Sequence, residues 1–341
     1  MSTRNQERIV FGAIIIVLFY FLSISYQSYY IASTTALLRA QEAAAVVPAD
    51  SVPSTQQQDA NDCLSHLETV KGYGIYSQND EDGAILQVLR CMGGHGKKEY
   101  FEFGSEDGTE VNTRTLRDMY GWKGHLLDGG NENPKIPLHK EWFTPSNIVS
   151  LLEKYNVSKD VDVLSVDTDY DDFWTTREIL LAGYRPRVLI NEYNINFATS
   201  WSVSTVAKPI GQEANIYWGK GGATCYFGAS GLAMVSLAKA FGYTPVWHNF
   251  ANIIFVQLDQ AKKLNMIIPS SDNFPGPYAM PLHPPCSGKT WTLIDPSIVE
   301  SKAADAGISH TEFANSFSKV ALKHKDFTRP GRDTWRIFYE A

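Results

Sequence analysis

The segment KEYFEFGSEDG, residues 98–108, decides the fold that the sequence predicts. It begins with a run of aromatic residues that is typical of a short buried strand. An acidic residue and two glycines follow in the spacing Glu102-x-Gly104-x-x-x-Gly108. Because glycine permits conformations and close approaches that other residues resist, the pattern predicts a strand that leads into a turn facing a ligand.

Helical and strand patterns alternate on both sides of this segment. The predicted elements are, in order, a helix after residue 77, the strand within 98–108, a helix over 113–120, a strand over 122–128, a helix from 144, a strand over 161–166, a helix over 173–182, a strand over 187–190, a helix over 230–241, strands over 244–247 and 253–258, and a last strand or packed tail over 335–339. Such alternation indicates an α/β fold with a Rossmann-like, mainly parallel sheet. The tight link between the strands over 244–247 and 253–258 predicts that they form an antiparallel pair at the sheet edge. Residues 197–220 lack periodicity and are interpreted as an irregular insertion over the site.

The residue that ends the second predicted strand is Asp128, 24 positions after Gly104. A carboxylate about 20 residues beyond the glycines binds ribose hydroxyls in dinucleotide-binding folds. The chain lacks the G-K-[ST] of a phosphate-binding loop and the G-x-G-x-x-G of a dinucleotide site. An acid before the glycines suits a positively charged ligand that contains adenosine, such as S-adenosylmethionine.

Further oxygen ligands follow the next two predicted strands, at Asp167, Asp169, Glu192 and Asn194. Since the carboxyl ends of parallel strands meet at one edge, we expect these four residues to converge on a site for Mg²⁺ or Ca²⁺. A metal there would hold an acceptor hydroxyl and lower its pKa. Without a metal, Asp167 or Asp169 would act as a general base or position the hydroxyl, and capping of helices is the structural alternative.

The order of several motifs resembles the FkbM-type branch of class I S-adenosylmethionine-dependent methyltransferases, particularly the membrane-anchored eukaryotic members. The motifs are SQNDEDG at 77–83, YFEFGSEDG at 100–108, GHLLDGGNENP at 124–134, VLSVDTDYDDFW at 163–174, RPRVLINEYN at 185–194 and YFGAS at 226–230. They span residues 77 to 258, most of the chain after the N-terminal segment. No single motif is specific, and their order and spacing carry the resemblance.

The resemblance implies a role for individual residues. It assigns the cofactor to Glu102, Gly104, Gly108 and Asp128. It also places Asp167 near the transferred methyl group. The family has D-x-D-G-N-D in that region, whereas this chain has Tyr170 for the glycine and Asp171 for the asparagine. A tyrosine fills space and disfavours positive φ, so either the loop path differs or activity is lost.

The N-terminal region predicts a membrane anchor. Residues 9–24 are almost entirely apolar, tyrosines extend this segment to residue 30, and arginines precede it. The positive-inside rule then places the N-terminus in the cytoplasm and the rest in the lumen of the Golgi or endoplasmic reticulum, with a cleaved signal peptide as the alternative. The resulting division is a cytoplasmic tail over 1–8, an anchor over 9–30, a disordered stem over 31–62 and a methyltransferase-like domain over 63–341.

Cysteines and a sequon agree with a lumenal location. Four cysteines without CxxC spacing favour disulfides over a zinc site, and the pairing Cys63–Cys91 with Cys225–Cys286 is our hypothesis. Asn156 lies in an N-x-S sequon on a predicted surface turn. The net charge of −7 and the absence of basic clusters exclude nucleic acid as an expected partner.

The sequence therefore predicts a single-pass type II membrane enzyme that transfers a methyl group from S-adenosylmethionine to an oxygen acceptor. A hydroxyl on a glycan is the preferred acceptor, and a small molecule is the alternative. Two other classes of function stay open. One is a catalytically silent relative that acts in trafficking or binding. The other is a lumenal glycosyltransferase in which Asp167-Thr168-Asp169 would bind a metal and a nucleotide sugar.

Overall fold

The computed structural model describes residues 74–94, 96–197, 201–207, 226–249, 251–263, 289–305 and 307–321. The predicted anchor, the stem and the C-terminal strand lie outside these ranges. Within them, no helix combines the length and the apolar character needed to cross a bilayer.

A seven-stranded sheet forms the centre of the described fold. Its strands are β1 (Glu99–Phe103), β2 (Lys123–Asp128), β3 (Leu138–Lys140), β4 (Val163–Val166), β5 (Val188–Glu192), β7 (Tyr243–His248) and β8 (Asn252–Gln257), in the order β3-β2-β1-β4-β5-β8-β7. The first five are parallel, and β8 is antiparallel to both of its neighbours. The mainly parallel sheet is therefore confirmed. The expected antiparallel pair at the sheet edge is also confirmed, since β7 forms the edge and pairs antiparallel with β8, which lies between β7 and β5.

Helices cover both faces of this sheet. They are α1 (Glu81–Cys91), α2 (Arg114–Tyr120), α3 (Ile148–Lys154), α4 (Asp172–Leu181), α5 (Gly231–Ala240), α6 (Leu258–Lys263), α7 (Pro296–Lys302) and α8 (His310–Asn315). One buried cluster joins α1, α2 and α6 to one face of the sheet. A larger cluster joins α3, α4, α5, α7 and α8 to the other face. Alternate side chains of each strand enter the two clusters, as the period of two requires, and the result is a three-layer α/β fold.

A second sheet of three strands lies beside the first. It contains β6 (Val203–Ser204), β9 (Thr290–Leu293) and β10 (Ser318–Ala321), all antiparallel, in the order β10-β9-β6. The segment 197–220 was expected to be irregular, yet its described part supplies β6. Two residues are too few to show a strand period, so the sequence carried no signal for it.

Two further differences from the sequence-based prediction are local. The helix expected from Thr144 begins at Ile148, because the Asn147 side chain accepts a hydrogen bond from the Thr144 N–H at 2.7 Å and holds 145–147 as a turn. β3 was not predicted, since it has only three residues, of which Leu138 alone is buried. Its parallel pairing with β2 matches Asp128 with Lys140, which brings the chain after β3 beside Asp128.

Candidate functional site

The carboxyl ends of the parallel strands form one edge of the large sheet. On the face that α1 and α2 cover, the last inward residues of β1, β2 and β5 are Glu102, Asp128 and Glu192. Each follows, at a spacing of two, an apolar residue of the α1/α2 cluster. The antiparallel β8 begins at this same edge, where Asn252 pairs with Glu192. Acidic side chains therefore lie along the carboxyl edge of the sheet, on the face that α1 and α2 cover.

The Glu102 carboxylate is occupied by hydrogen bonds within the protein. Its carboxylate accepts hydrogen bonds from the Asn112 N–H at 2.9 Å, the Thr113 N–H at 3.0 Å and the Thr113 hydroxyl at 2.5 Å. Only 3% of the residue is exposed. Burial raises its pKa to about 7, against the opposing effect of these donors. Glu102 thus ties the start of α2 to the end of β1, which leaves almost no surface for direct contact with a cofactor.

The two glycines of the motif are required by packing. Gly104 has φ +75°, and a Cβ there would lie 1.9 Å from the carbonyl oxygen of Asp167. Gly108 has φ +81°, and its Cβ would lie 2.5 Å from Ile136 Cδ1. The absence of a side chain at Gly104 lets the turn after β1 touch the end of β4. The turn therefore places Asp167 directly beside the segment predicted to face the cofactor.

Asp128 keeps one carboxylate oxygen available. Its Oδ1 atom accepts hydrogen bonds from the Gly130 N–H at 2.7 Å, the Asn131 N–H at 2.7 Å and the Asn131 side-chain amide at 2.9 Å. These bonds fix the turn after β2 and the orientation of the carboxylate. The Oδ2 atom has no hydrogen-bond partner among the described residues, and the side chain is half-buried. A half-buried, pre-oriented carboxylate oxygen suits a ribose hydroxyl.

Three of the four predicted metal-ligating residues come together. One carboxylate oxygen from each of Asp167, Asp169 and Glu192 lies within 4.8 Å of the others. Asn194 has another task, because its oxygen accepts two hydrogen bonds from Asn196 at 2.9 and 3.0 Å. Its amide nitrogen donates to the Phe227 carbonyl at 2.8 Å, so Asn194 braces the chain after residue 226.

A fourth carboxyl, Asp172 at the start of α4, belongs to the same group. Asp172 is fully buried, and its Oδ1 atom accepts hydrogen bonds from the Thr168 N–H at 2.7 Å and the Thr168 hydroxyl at 3.1 Å. Its Oδ2 atom has no partner among the described residues. Burial is the main cause that raises the pKa of Asp172 to about 7, and the charge of Asp169 contributes to this shift. We refer to Asp167, Asp169, Asp172 and Glu192 as the acidic cluster.

Electrostatic repulsion within the acidic cluster favours bound protons or cations. Burial raises the pKa of Asp167 and of Glu192 well above their ordinary values, and the neighbouring carboxylates add to the shift. The two side chains also contact each other, so the pair can hold one proton between its carboxyls. Glu192 Oε2 is buried without a partner in the described part of the chain. The donor set fits a hard divalent cation as well as a proton.

The loop that departs from the family motif accommodates its tyrosine. Positive φ falls on Asp169, at 59°, and not on Tyr170. Tyr170 is buried and donates its hydroxyl to the Val206 carbonyl at 3.2 Å, while its own carbonyl accepts from the Thr205 hydroxyl at 2.7 Å. The tyrosine therefore packs the loop against the small sheet, and the carboxylates on either side of it still converge.

Glu81 and Asp82, the first two residues of α1, join α1 to other segments of the chain. Asp82 Oδ2 accepts hydrogen bonds from the backbone N–H groups of 75, 76 and 77 at 2.7 to 2.9 Å. Glu81 Oε1 accepts from the side-chain amides of Asn249 at 2.6 Å and Asn252 at 2.9 Å. Both residues hold the segment before α1 near the edge where β8 begins. Two adjacent acids in SQNDEDG were the only signal for this role.

Comparisons with known proteins leave the family of this chain unassigned. No family model matches the sequence, and no curated protein matches it. One similar solved structure is a Klebsiella pneumoniae protein proposed to be an O-methyltransferase, at 11% identity and a TM-score of 0.26. The alignment covers 47% of this chain and 72% of that protein. A TM-score of this size does not show a shared fold. The mainly parallel seven-stranded sheet between two helical layers is consistent with a Rossmann-like methyltransferase fold.

Proposed function

We propose that the chain binds S-adenosylmethionine along the carboxyl edge of its sheet and transfers the methyl group to a hydroxyl on a glycan or another acceptor of the secretory pathway. The observation that carries this proposal is the arrangement of Asp128 and the acidic cluster on the two sides of the Gly104 turn. Asp128 offers an oriented oxygen to a ribose hydroxyl. The acidic cluster suits the positive charges of the ammonium and sulfonium groups, and the ordered sequence motifs support the same cofactor.

The acidic cluster also suits the acceptor chemistry. S-adenosylmethionine supplies an electrophilic methyl group on a sulfonium. Asp167, whose pKa is raised mainly by burial, accepts the proton of the acceptor hydroxyl and so makes its oxygen a better nucleophile. Glu192 contacts Asp167 and so positions its carboxyl group. If a divalent cation is bound, Asp167, Asp169 and Glu192 would hold it, and it would lower the pKa of that hydroxyl.

The same proposal includes a lumenal location behind an N-terminal anchor. Cys91 is disulfide-bonded, which supports an oxidising compartment. Its partner lies outside the described residues, so the Cys63–Cys91 and Cys225–Cys286 pairing stays a prediction. Asn156 of the sequon is exposed immediately after α3, where a glycan would meet solvent. Protease protection of the C-terminal region in sealed microsomes tests this topology, and digestion without detergent would contradict it.

A second candidate function is a metal-dependent glycosyltransferase. The convergence of Asp167 and Asp169 favours it, because a D-x-D pair holds the metal of a nucleotide sugar in such enzymes. The close Gly104 turn and the oriented Asp128 have no evident use in that reaction. The Tyr170 loop does not favour a catalytically silent binding factor, since Tyr170 does not displace the carboxylates around it.

Isothermal titration calorimetry of the full-length chain in detergent micelles tests these candidates. We expect saturable binding of S-adenosylmethionine and a large loss of affinity in Asp128→Asn, which retains the Oδ1 acceptor of the turn but replaces the available oxygen. Asp305→Asn, in an exposed turn, is the matched control. Binding of a uridine diphosphate sugar with Mn²⁺, but not of S-adenosylmethionine, would instead support the glycosyltransferase. Failure of the folded protein to bind S-adenosylmethionine would refute the proposed function.

A further inference from the structure

Trp142 is an exposed aromatic side chain at the proposed cofactor edge. Its side chain is 51% exposed, in contrast to the buried or half-buried positions of most aromatic residues that the structure describes. We propose that the indole of Trp142 forms the platform on which the adenine ring of S-adenosylmethionine stacks. This inference rests on the proposed function and assigns an orientation to its cofactor.

Backbone contacts hold Trp142 beside Asp128. The residue before it, Glu141, donates its N–H to the Asp128 carbonyl at 2.8 Å, which extends the pairing of β3 with β2. The Trp142 carbonyl accepts a hydrogen bond from the Asn147 side chain at 2.8 Å, at the N-cap of α3. Both ends of the Trp142 backbone are therefore fixed to ordered elements. The position of the indole follows from the sheet and not from a free loop.

Gly129 provides the surface on which the indole lies. A Cβ at Gly129 would lie 2.8 Å from Trp142 Cε3 and 3.1 Å from Cζ3, so any side chain at this position would displace the ring. Gly129 directly follows Asp128, the predicted ribose ligand. The six-membered ring of the indole thus contacts the backbone next to the ribose carboxylate, and about half of the side chain stays open to solvent.

The order of groups along the edge gives the ligand a direction. Trp142 follows β3, Asp128 ends β2, the Gly104 turn follows β1, and the acidic cluster follows β4 and β5. With neighbouring strands about 4.8 Å apart, the ends of β3 and β4 are separated by three spacings, or roughly 14 Å. The edge therefore presents an aromatic side chain, then a carboxylate that can accept a hydroxyl hydrogen bond, then a group of acids. This spatial order matches the base, the ribose and the cationic amino-acid end of S-adenosylmethionine. The adenine would therefore lie at β3 and the reactive end at β4 and β5.

Tryptophan suits this task on chemical grounds. Its large π-face stacks on a base, and such stacking contributes binding free energy without hydrogen-bond selectivity. Loss of one stacking aromatic typically weakens binding by about 5-fold to 150-fold. The exposure of Trp142 also fits this role, because an indole that other side chains covered could not stack on the adenine ring.

Calorimetry of the full-length chain with S-adenosylmethionine, adenosine and methionine as separate titrants tests the inference. We expect Trp142→Ala to weaken S-adenosylmethionine and adenosine by the same factor, about 5-fold to 150-fold, and to leave any methionine binding unchanged. Trp142→Phe should retain most of the affinity. Tyr120→Ala removes the other exposed aromatic side chain of the described residues, which ends α2 at the opposite edge of the sheet, and should have no effect.

A fluorescence measurement tests the inference even if the alanine variant misfolds. S-adenosylmethionine should quench the emission of the wild-type protein, and Trp142→Phe should abolish this quench while it still binds. Wild-type affinity in Trp142→Ala, or an unchanged quench in Trp142→Phe, would overturn the role of Trp142 and leave the proposed function intact. Failure of the wild-type protein to bind both S-adenosylmethionine and adenosine would overturn the proposed function and this inference together.

Discussion

Replacement of Asp172 by asparagine should stabilise the protein at neutral and higher pH. Asp172 is fully buried among other carboxyls, and its Oδ2 atom has no partner in the described part of the chain. The asparagine oxygen can still accept the two hydrogen bonds from Thr168. The substitution therefore removes a buried negative charge with little change in shape.

The size of the effect follows from the raised pKa of Asp172, about 7 against an ordinary 3.8. Below about pH 3 the carboxyl is protonated in both the folded and the unfolded chain, so it has almost no effect on the free energy of unfolding. Between pH 4 and pH 7 only the unfolded chain ionises, and the free energy of unfolding falls as pH rises. At pH 8 the ionised group lowers the free energy of unfolding by about 4 kcal/mol, and at pH 5 it lowers it by about 2 kcal/mol. Asp172→Asn should therefore gain about 2–3 kcal/mol relative to wild type between these two pH values.

Thermal unfolding of the full-length chain in detergent, followed by circular dichroism, measures this gain. At about 2 °C per kcal/mol for a chain of this size, the difference in Tm between Asp172→Asn and wild type should widen by about 5 °C from pH 5 to pH 8. Asp305→Asn, which changes an exposed carboxylate, should show no such trend. A Tm difference that is independent of pH, or a destabilised variant at pH 8, would refute the account of the acidic cluster.

Two further predictions concern the same edge. Gly104→Ala should destabilise the protein by about 2–4 kcal/mol, because its Cβ would lie 1.9 Å from the Asp167 carbonyl oxygen at positive φ. Gly130→Ala is the control, since its Cβ would meet only Asp128 Oδ1 at 3.5 Å. Equal Tm values for the two variants would contradict the packing argument. If the acidic cluster binds a divalent cation, Ca²⁺ or Mg²⁺ at about 100 times its dissociation constant should stabilise the wild type by about 2.7 kcal/mol at pH 8. Glu192→Gln should abolish this response and the exposed Glu300→Gln should retain it, whereas a wild-type Tm that is insensitive to both ions would exclude the metal.

The sequence predicted the strand and helix pattern because local signals were strong. Ser230 is the first residue of the helix predicted over 230–241, and its side chain caps α5 by accepting a hydrogen bond from the Ala233 N–H. Gly121 directly follows the helix predicted over 113–120, and it ends α2 with φ +66° in the left-handed region. The position of β8 was not predictable in this way, because local patterning sets strand boundaries but not the order of strands in a sheet. β6 and β3 are too short for any periodicity to show.

The candidate site likewise has features that the sequence predicts and features that depend on contacts the sequence does not show. Convergence of Asp167, Asp169 and Glu192 followed from one rule, that parallel strands end at the same edge. The local hydrogen bonds that occupy Glu102 and Asn194 depend on partners 2 to 33 residues away and leave no trace in strand patterning. Trp142 stood in a polar stretch without periodicity, and only the pairing of β3 with β2 brings it to Gly129.

A structure of the full-length chain with bound S-adenosylhomocysteine tests the central claim most directly. The account predicts density along the carboxyl edge of the sheet, with the adenine on Trp142, a ribose hydroxyl within hydrogen-bond distance of Asp128 Oδ2, and the sulfur next to the Gly104 turn and Asp167. Density elsewhere on the protein, or a reversed ligand with its base at the acidic cluster, would contradict it.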